Sequence, residues 1–367
     1  MRAFEYIGDG ETIRLIDGFR LFPHLNKHIY NTERVLVIHC VNSFGLVLNE
    51  IKNKDKLIEA ILKYQDEFGS VKKILFMINE VIVQDETPIL EFAKEIGIDC
   101  YYSNYDLQPI ESNIKLKHPE SLYSQLDYLL AHDYLNAKKF LHNMNVNYGD
   151  FLKPYKYTFY SNHVSPIRID IFNILKATDN LKNGIWSFNN SLVYYSGLKH
   201  NLDSFFKDNE GLIPKSYDNF NEKTVVLRDT YFSHFLSYYE IVSESYFFND
   251  IPRIENHCPI TEKLLKPIVS HKPFILFGSI NTIKVFKSMG MTFECPLYGF
   301  YDTTNENSIR EGLGHLTQQS IMKIEDLHEI YYKYQYEFSQ NLELFLNYLL
   351  KNKEDVLRLF DSSQPII

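Results

Sequence analysis

The chain of 367 residues and 43.4 kDa exceeds what one hydrophobic core commonly serves, which predicts two domains and excludes a small stapled module. A hydrophobic fraction of 45%, a charged fraction of 23%, 27 Tyr and 27 Phe fit globular cores and exclude a disordered chain. A net charge of −9 gives no overall attraction for nucleic acid, so any anion site has to be local. No apolar run reaches the ~20 residues that span a bilayer, and the start, Met1 to Glu5, lacks a signal-peptide core. Cys40, Cys100, Cys258 and Cys295 form no CxxC pair. The expectation is a cytoplasmic protein without a membrane span.

In chain order, residues 1–33 carry no clear assignment beyond a hairpin or edge element. Arg34–Cys40 reads as a buried strand and Lys54–Phe68 as an amphipathic helix. A strand at Lys73–Asn79, a helix at Thr87–Ile96 and a strand at Ile98–Tyr102 follow. That alternation is the signature of a parallel, Rossmann-like sheet with right-handed crossovers. Helical, Tyr-rich and Lys-rich sequence from Ser121 to Phe140 leads to turn formers at Asn145–Asp150, which place a boundary near residue 150.

A second α/β alternation follows: strand Lys156–Tyr160, helix Ile167–Thr178, strand Gly184–Phe188 and an irregular polar insert to about Asn221. Next come strand Thr224–Leu227, helix Tyr231–Leu236, strand Tyr239–Ser243, a helix from Thr261, strand Pro273–Phe277 and helix Ile280–Ser288. From Lys323, Leu327, Tyr331, Tyr334, Phe338, Leu342, Phe345 and Leu349 recur at helical spacing, as in one or two helices packed on the domains. The predicted domains are thus 1–150, 151–322 and a helical tail, 323–367.

Several chemistries are absent as motifs: no GxxxxGK[ST], no GxGxxG after the first strand, no GxSxG and no HExxH. His24 and His28 share a helical spacing but lack a third ligand, and only Asp9-Gly10-Glu11 approaches Asp-x-Asp, so no metal site is expected. The informative stretch is Thr261–Gly290, where Lys263, Lys266, Lys272, Lys284 and Lys287 face the single acid Glu262. Thr261 can cap a helix whose first turn holds Glu262 and Lys263, so backbone N–H groups and an ammonium converge on one anion. A second such turn is Phe277-Gly278-Ser279, with Gly278 for close approach and Ser279 as cap. Lys284 and Lys287 read as a solvated face. Arg168 falls in the first turn of a helix, where the dipole disfavours a cation, and so asks for a partner such as phosphate; His163 precedes it in the same turn.

Asn162–Arg168, Ile241–Phe247, Ile260–Ile268 and Lys272–Gly278 together resemble glycosyltransferase-like proteins of phages, large viruses and bacteria. More distantly they resemble the donor domain of the α-1,3-fucosyltransferases, with its Glu-Asn-Ser and Thr-Glu-Lys-Leu elements. The resemblance covers roughly residues 155 to 300 and does not reach the first domain. It implies the GT-B architecture, two Rossmann-like domains facing a cleft. The second domain would hold a nucleotide-sugar donor and the first the acceptor, with the terminal helix crossing back, in a bacterial or infected host cell. It carries the donor's ribose and phosphates onto Arg168, Glu262 and Lys263; His163, Thr261, Gly278 and Ser279, read from the turns above, complete the candidate donor set with Glu244 and Lys266. Ser243-Glu244-Ser245 departs from Glu-Asn-Ser, and Phe248–Cys258 lengthens the following segment, so donor identity does not transfer.

The implied reaction is metal-independent transfer of a sugar to a hydroxyl of a glycan or other acceptor, with no cofactor beyond the nucleotide-diphosphate sugar. If the reaction inverts, its base would lie at a strand end of the first domain, where Glu80 and His39 stand. Two rival readings are a phage DNA glycosyltransferase acting on hydroxymethylated bases, and a non-catalytic α/β nucleotide-binding or interaction scaffold.

Overall fold

A computed structural model describes residues 4–7, 13–17, 35–40, 51–68, 73–78, 87–103, 152–161, 165–188, 199–210, 236–244 and 262–358. The chain is α/β and divides into two compact units: Met1–Asp127 with Pro252–Ile260 and Leu346–Ile367, and Tyr128–Ile251 with Thr261–Phe345. Among the described residues no helix is long and apolar enough to cross a membrane.

The first unit holds β1 (Phe4–Ile7), β2 (Ile13–Asp17), β3 (Val35–Cys40), α1 (Ile51–Phe68), β4 (Lys73–Ile78), α2 (Thr87–Ile96) and β5 (Asp99–Ser103). Their order in the sheet is β1-β2-β3-β4-β5. β3, β4 and β5 run parallel, and β1 and β2 add an antiparallel extension beside β3. The apolar runs of β3 and β4 suit strands covered on both faces. Leu57 and Ile61 of α1, Ile74 of β4 and Phe92 of α2 are buried.

The second unit holds β6 (Tyr155–Ser161), α3 (Pro166–Ala177), β7 (Gly184–Phe188), α4 (Lys199–Asp208), β8 (Ser237–Ser243), α5 (Glu262–Val269) and β9 (Phe274–Gly278). α6 (Ile280–Ser288), β10 (Gly299–Asp302), α7 (Glu306–Ile321) and α8 (Ile324–Lys333) follow. α9 (Gln335–Arg358) passes from this unit into the first at Leu346. All five strands are parallel in the order β10-β9-β8-β6-β7, compatible with a Rossmann-like fold. The chain order reverses between β6 and β8, which makes that pair the switch point of the sheet.

Period-two alternation sorts the strand residues onto two faces. Tyr157, Phe159, Tyr239, Ile241, Ile275 and Phe277 join Ile171, Phe172 and Leu175 of α3 and Leu316 of α7 in one core. The alternate residues Val242, Phe274 and Leu276 are buried on the other face, as are Leu264 and Ile268 of α5 and Ile283 and Phe286 of α6. α9 holds the turn before β10: Glu337 accepts from the Glu294 N–H, while Asn341 accepts from the Thr292 N–H and donates to its carbonyl.

Two expectations need correction. The polar insert after β7 contains α4, whose Phe205 stacks edge-on against Phe172 at 5.3 Å between ring centroids. One short aromatic face among polar residues is enough to dock a helix when an aromatic receptor already stands on α3. The basic island is also divided. Lys284 and Lys287 are exposed, but Lys272 precedes β9 and is fully buried at the amino edge of the sheet, opposite Gly278. The Tyr231–Leu236 helix and the Thr224–Leu227 strand lie outside the described residues, apart from Leu236 itself.

Lys272 Nζ donates to Ser237 Oγ at 2.7 Å and Thr158 Oγ1 at 3.2 Å, and lies 3.7 Å from Glu240 Oε2. Burial pushes its pKa down to about 8 against the opposing pull of Glu240. Burial and the Lys272 charge push Lys153 well down too. Burial raises the phenols of Tyr157, Tyr239 and Tyr331.

Between pH 8 and the unfolded lysine value near ~10.4 the unfolded chain binds more protons than the fold, so stability rises with pH there. Above about pH 10 the unfolded tyrosines ionise and the buried ones do not, so stability falls. Urea titrations across pH 7–11 are expected to show this maximum, and Lys272→Met to flatten its rising limb without abolishing it, since Lys153 contributes in the same sense.

A Cβ on Gly312 of α7 would stand 2.5 Å from Tyr301 Cγ and 2.6 Å from Phe277 Cε1, whereas one on Gly314 would meet nothing within 4 Å. Gly312→Ala is therefore expected to destabilise by about 1–3 kcal/mol through overpacking. Gly314→Ala, exposed in the same helix, should stabilise by up to about 1 kcal/mol. Thermal unfolding of the two variants checks the opposite signs.

Candidate functional site

The carboxyl edge of an open parallel sheet is where a switch point leaves a crevice. Pairing between β6 and β8 is registered only as far as Thr158↔Glu240, although β6 continues to Ser161 and β8 to Ser243. The outer neighbours stay paired to the strand ends, at Ser161↔Phe188 and Ser243↔Phe277.

Arg168 reaches the carboxyl end of β8, beyond the last registered β6–β8 pair. It sits in the first turn of α3, is 1% exposed, and donates from Nη2 to the Ser243 carbonyl at 2.7 Å. A carbonyl at the end of β8 thus receives its hydrogen bond from a guanidinium, which stays charged at any pH the fold survives. The sequence places Arg168 there because Pro166 fixes the start of α3, and the helical spacing buries Ile167, Arg168, Ile171, Phe172 and Leu175.

From the other face of the sheet come Glu244 and Lys263. Glu244 follows β8, and its N–H donates to the Phe277 carbonyl at 3.0 Å, carrying the β8–β9 pairing one step further. Its side chain is 2% exposed and accepts from Lys263 Nζ, 22% exposed in the first turn of α5, at 3.2 Å. Gly278 ends β9 beside it: a Cβ there would stand 3.1 Å from Glu244 Cγ. Ser279 occupies the N-cap position of α6 as the sequence predicts, but its side chain makes no capping hydrogen bond.

Arg168, Glu244, Lys263, Gly278 and Ser279 are thereby placed at one edge of one sheet. Lys266 is half-buried in the next turn of α5. Glu262 begins α5, and its side chain lies outside the described residues, as do His163, Thr261 and Glu80. His39 is described in backbone only, next to the carboxyl end of β3 and in register with Met77 of β4. Among the described residues no three His, Cys, Asp or Glu side chains group so as to hold a metal ion.

Sequence reading passed over Ser165 and Ser243. Ser165 is the N-cap of α3, yet it makes no side-chain capping bond. Both serines were visible inside the quoted motifs, but a lone serine near a strand end carries no signal of its own.

No model of a known protein family matches the chain, and no curated protein matches it.

The edge carries two cations and a carboxylate, and Lys263 is the more exposed of the two cations. Lys263→Met strips the cation from a buried carboxylate and is expected to destabilise by about 2 kcal/mol. Lys263→Met with Glu244→Gln should recover most of that loss, a coupling that a double-mutant cycle by urea unfolding measures.

Proposed function

We propose that the chain is a glycosyltransferase that moves a sugar from a nucleotide diphosphate to a hydroxyl, with the second unit holding the donor. The observation that carries this reading is the buried Arg168 guanidinium lodged where the β6–β8 pairing stops. When a glycosidic bond to phosphate breaks, negative charge grows on the leaving oxygen, and fixed cations oriented beforehand lower that barrier. Arg168, with Lys263 at the same edge, supplies that charge from the chain's own side chains. Glu244 and Glu262 are acceptors suited to ribose hydroxyls, Lys266, Gly278 and Ser279 stand at the same strand ends and helix starts, and His163 and Thr261, outside the described residues, belong to the proposed donor set.

The finer architecture belongs to the same proposal: a GT-B arrangement, kin to the α-1,3-fucosyltransferase donor domain, with the first unit presenting the acceptor. There the acceptor hydroxyl loses its proton to a base at a strand end, Glu80 or His39, as it attacks the sugar and the nucleoside diphosphate departs.

The test is thermal unfolding against GDP, UDP, CDP, ADP and dTDP. A nucleotide at about 100 times its dissociation constant adds about 2.7 kcal/mol of stability. One nucleotide is expected to raise the melting temperature. Lys263→Ala and Arg168→Lys, which keeps the charge but loses the fork, should abolish the shift. A folded wild type that responds to none of the five would overturn the reading in favour of a scaffold. A salt-sensitive shift with duplex DNA alone would favour the DNA-modifying alternative.

A further inference from the structure

The core facing α3 takes the odd-numbered residues of β8, Tyr239 and Ile241. Ser243 continues that series, so its side chain faces the same layer as α3, where Arg168 and Ser165 stand one helical turn apart. Both serines are nearly sealed, Ser165 at 2% and Ser243 at 3% exposure. Neither Oγ has a hydrogen-bond partner among the described residues.

A buried hydroxyl without a partner is costly, and it is tolerated where something else completes it. Two occur here, on the two chain segments that the Arg168–Ser243 hydrogen bond joins, at the start of a twelve-residue helix. Ser165 is the more telling. A serine at an N-cap ordinarily accepts from the first-turn N–H groups, and this side chain does not.

We propose that the Ser165 and Ser243 hydroxyls donate to one phosphoryl group seated beside the Arg168 guanidinium at the interrupted β6–β8 edge. The guanidinium supplies charge, the α3 terminus supplies its dipole, and the two hydroxyls supply direction. The seat recognises the phosphoryl group itself. It rests on the nucleotide-sugar reading only for what that phosphoryl group is attached to.

Two variants, Ser165→Ala and Ser243→Ala, are titrated calorimetrically with inorganic pyrophosphate and with the five nucleoside diphosphates, and each is melted without ligand. Wild type is expected to bind pyrophosphate, and each variant to bind it about tenfold more weakly, since one hydrogen bond to a charged group is lost. Without ligand the variants should melt at or above the wild-type temperature, because alanine removes an unsatisfied group.

A melting point lowered as by a lost cap makes the hydroxyls structural and overturns the proposal. So does unchanged pyrophosphate affinity in both variants, even where wild type binds a nucleotide and the transferase reading stands. Pyrophosphate binding that the serines control, with no response to any nucleoside diphosphate, upholds the seat and sinks the transferase reading. Failure of wild type to bind pyrophosphate or any nucleotide ends both.

Discussion

The second unit depends on one interaction, the hydrogen bond from Arg168 to the Ser243 carbonyl. In a sheet whose order reverses, the two central strands send their connections in opposite directions, and here their registered pairing ends three residues before the strands do. A strand-end carbonyl left inside a protein has to find a donor. A guanidinium solves this while delivering a positive charge to the crevice. Taking such a charge out of water costs several kcal/mol. In the proposed reading, a ligand arriving there meets a guanidinium whose position this hydrogen bond has already set. Local backbone geometry thus creates the electrostatic feature on which the functional reading turns.

The two edges of this sheet show why the cation at the crevice is arginine. At the amino edge Lys272 is as deeply buried as Arg168, surrounded by two hydroxyls and a carboxylate, and its pKa falls to about 8. An ammonium held in that way sheds its proton on the alkaline side of neutral. A guanidinium does not, and its flat fork holds a backbone carbonyl while presenting further N–H groups to a second acceptor. Lys272 therefore serves the packing beneath the sheet, and Arg168 preserves a permanent charge above it.

Much of this was legible in the sequence, for particular reasons. Residues 35–38 and 274–277 announce strands of a parallel sheet because their apolar residues run on without a polar interruption, and β9 is buried along its whole length. β10 and α7 gave no such signal. Gly299–Asp302 is short, carries two aromatics and is only half-buried, and α7 hides its apolar stripe behind Gly312, which is needed for close approach to Tyr301 and Phe277. The lysine cluster misled in part because a parallel strand carries its two flanks to opposite edges. Lys272, before β9, and Gly278, ending it, are six residues apart in sequence and lie at opposite ends of the strand. Arg168 was readable from helix position alone. Its partner was not, because a backbone carbonyl leaves no mark in a sequence.

Charge balance narrows what the carboxyl edge suits. Lys263 pairs with Glu244, whose side chain is almost sealed, and Arg168 stands across the sheet on the other face. In the proposed reading an incoming phosphate competes with Glu244 for Lys263. A carboxylate that yields its cation then has a lone pair to offer, and a ribose or sugar hydroxyl is the donor that fits it. A bare anion would draw Lys263 away and return nothing to Glu244. In that reading a phosphate carrying a polyol compensates both groups at once, which is the argument for proposing a nucleotide sugar over a simple oxyanion.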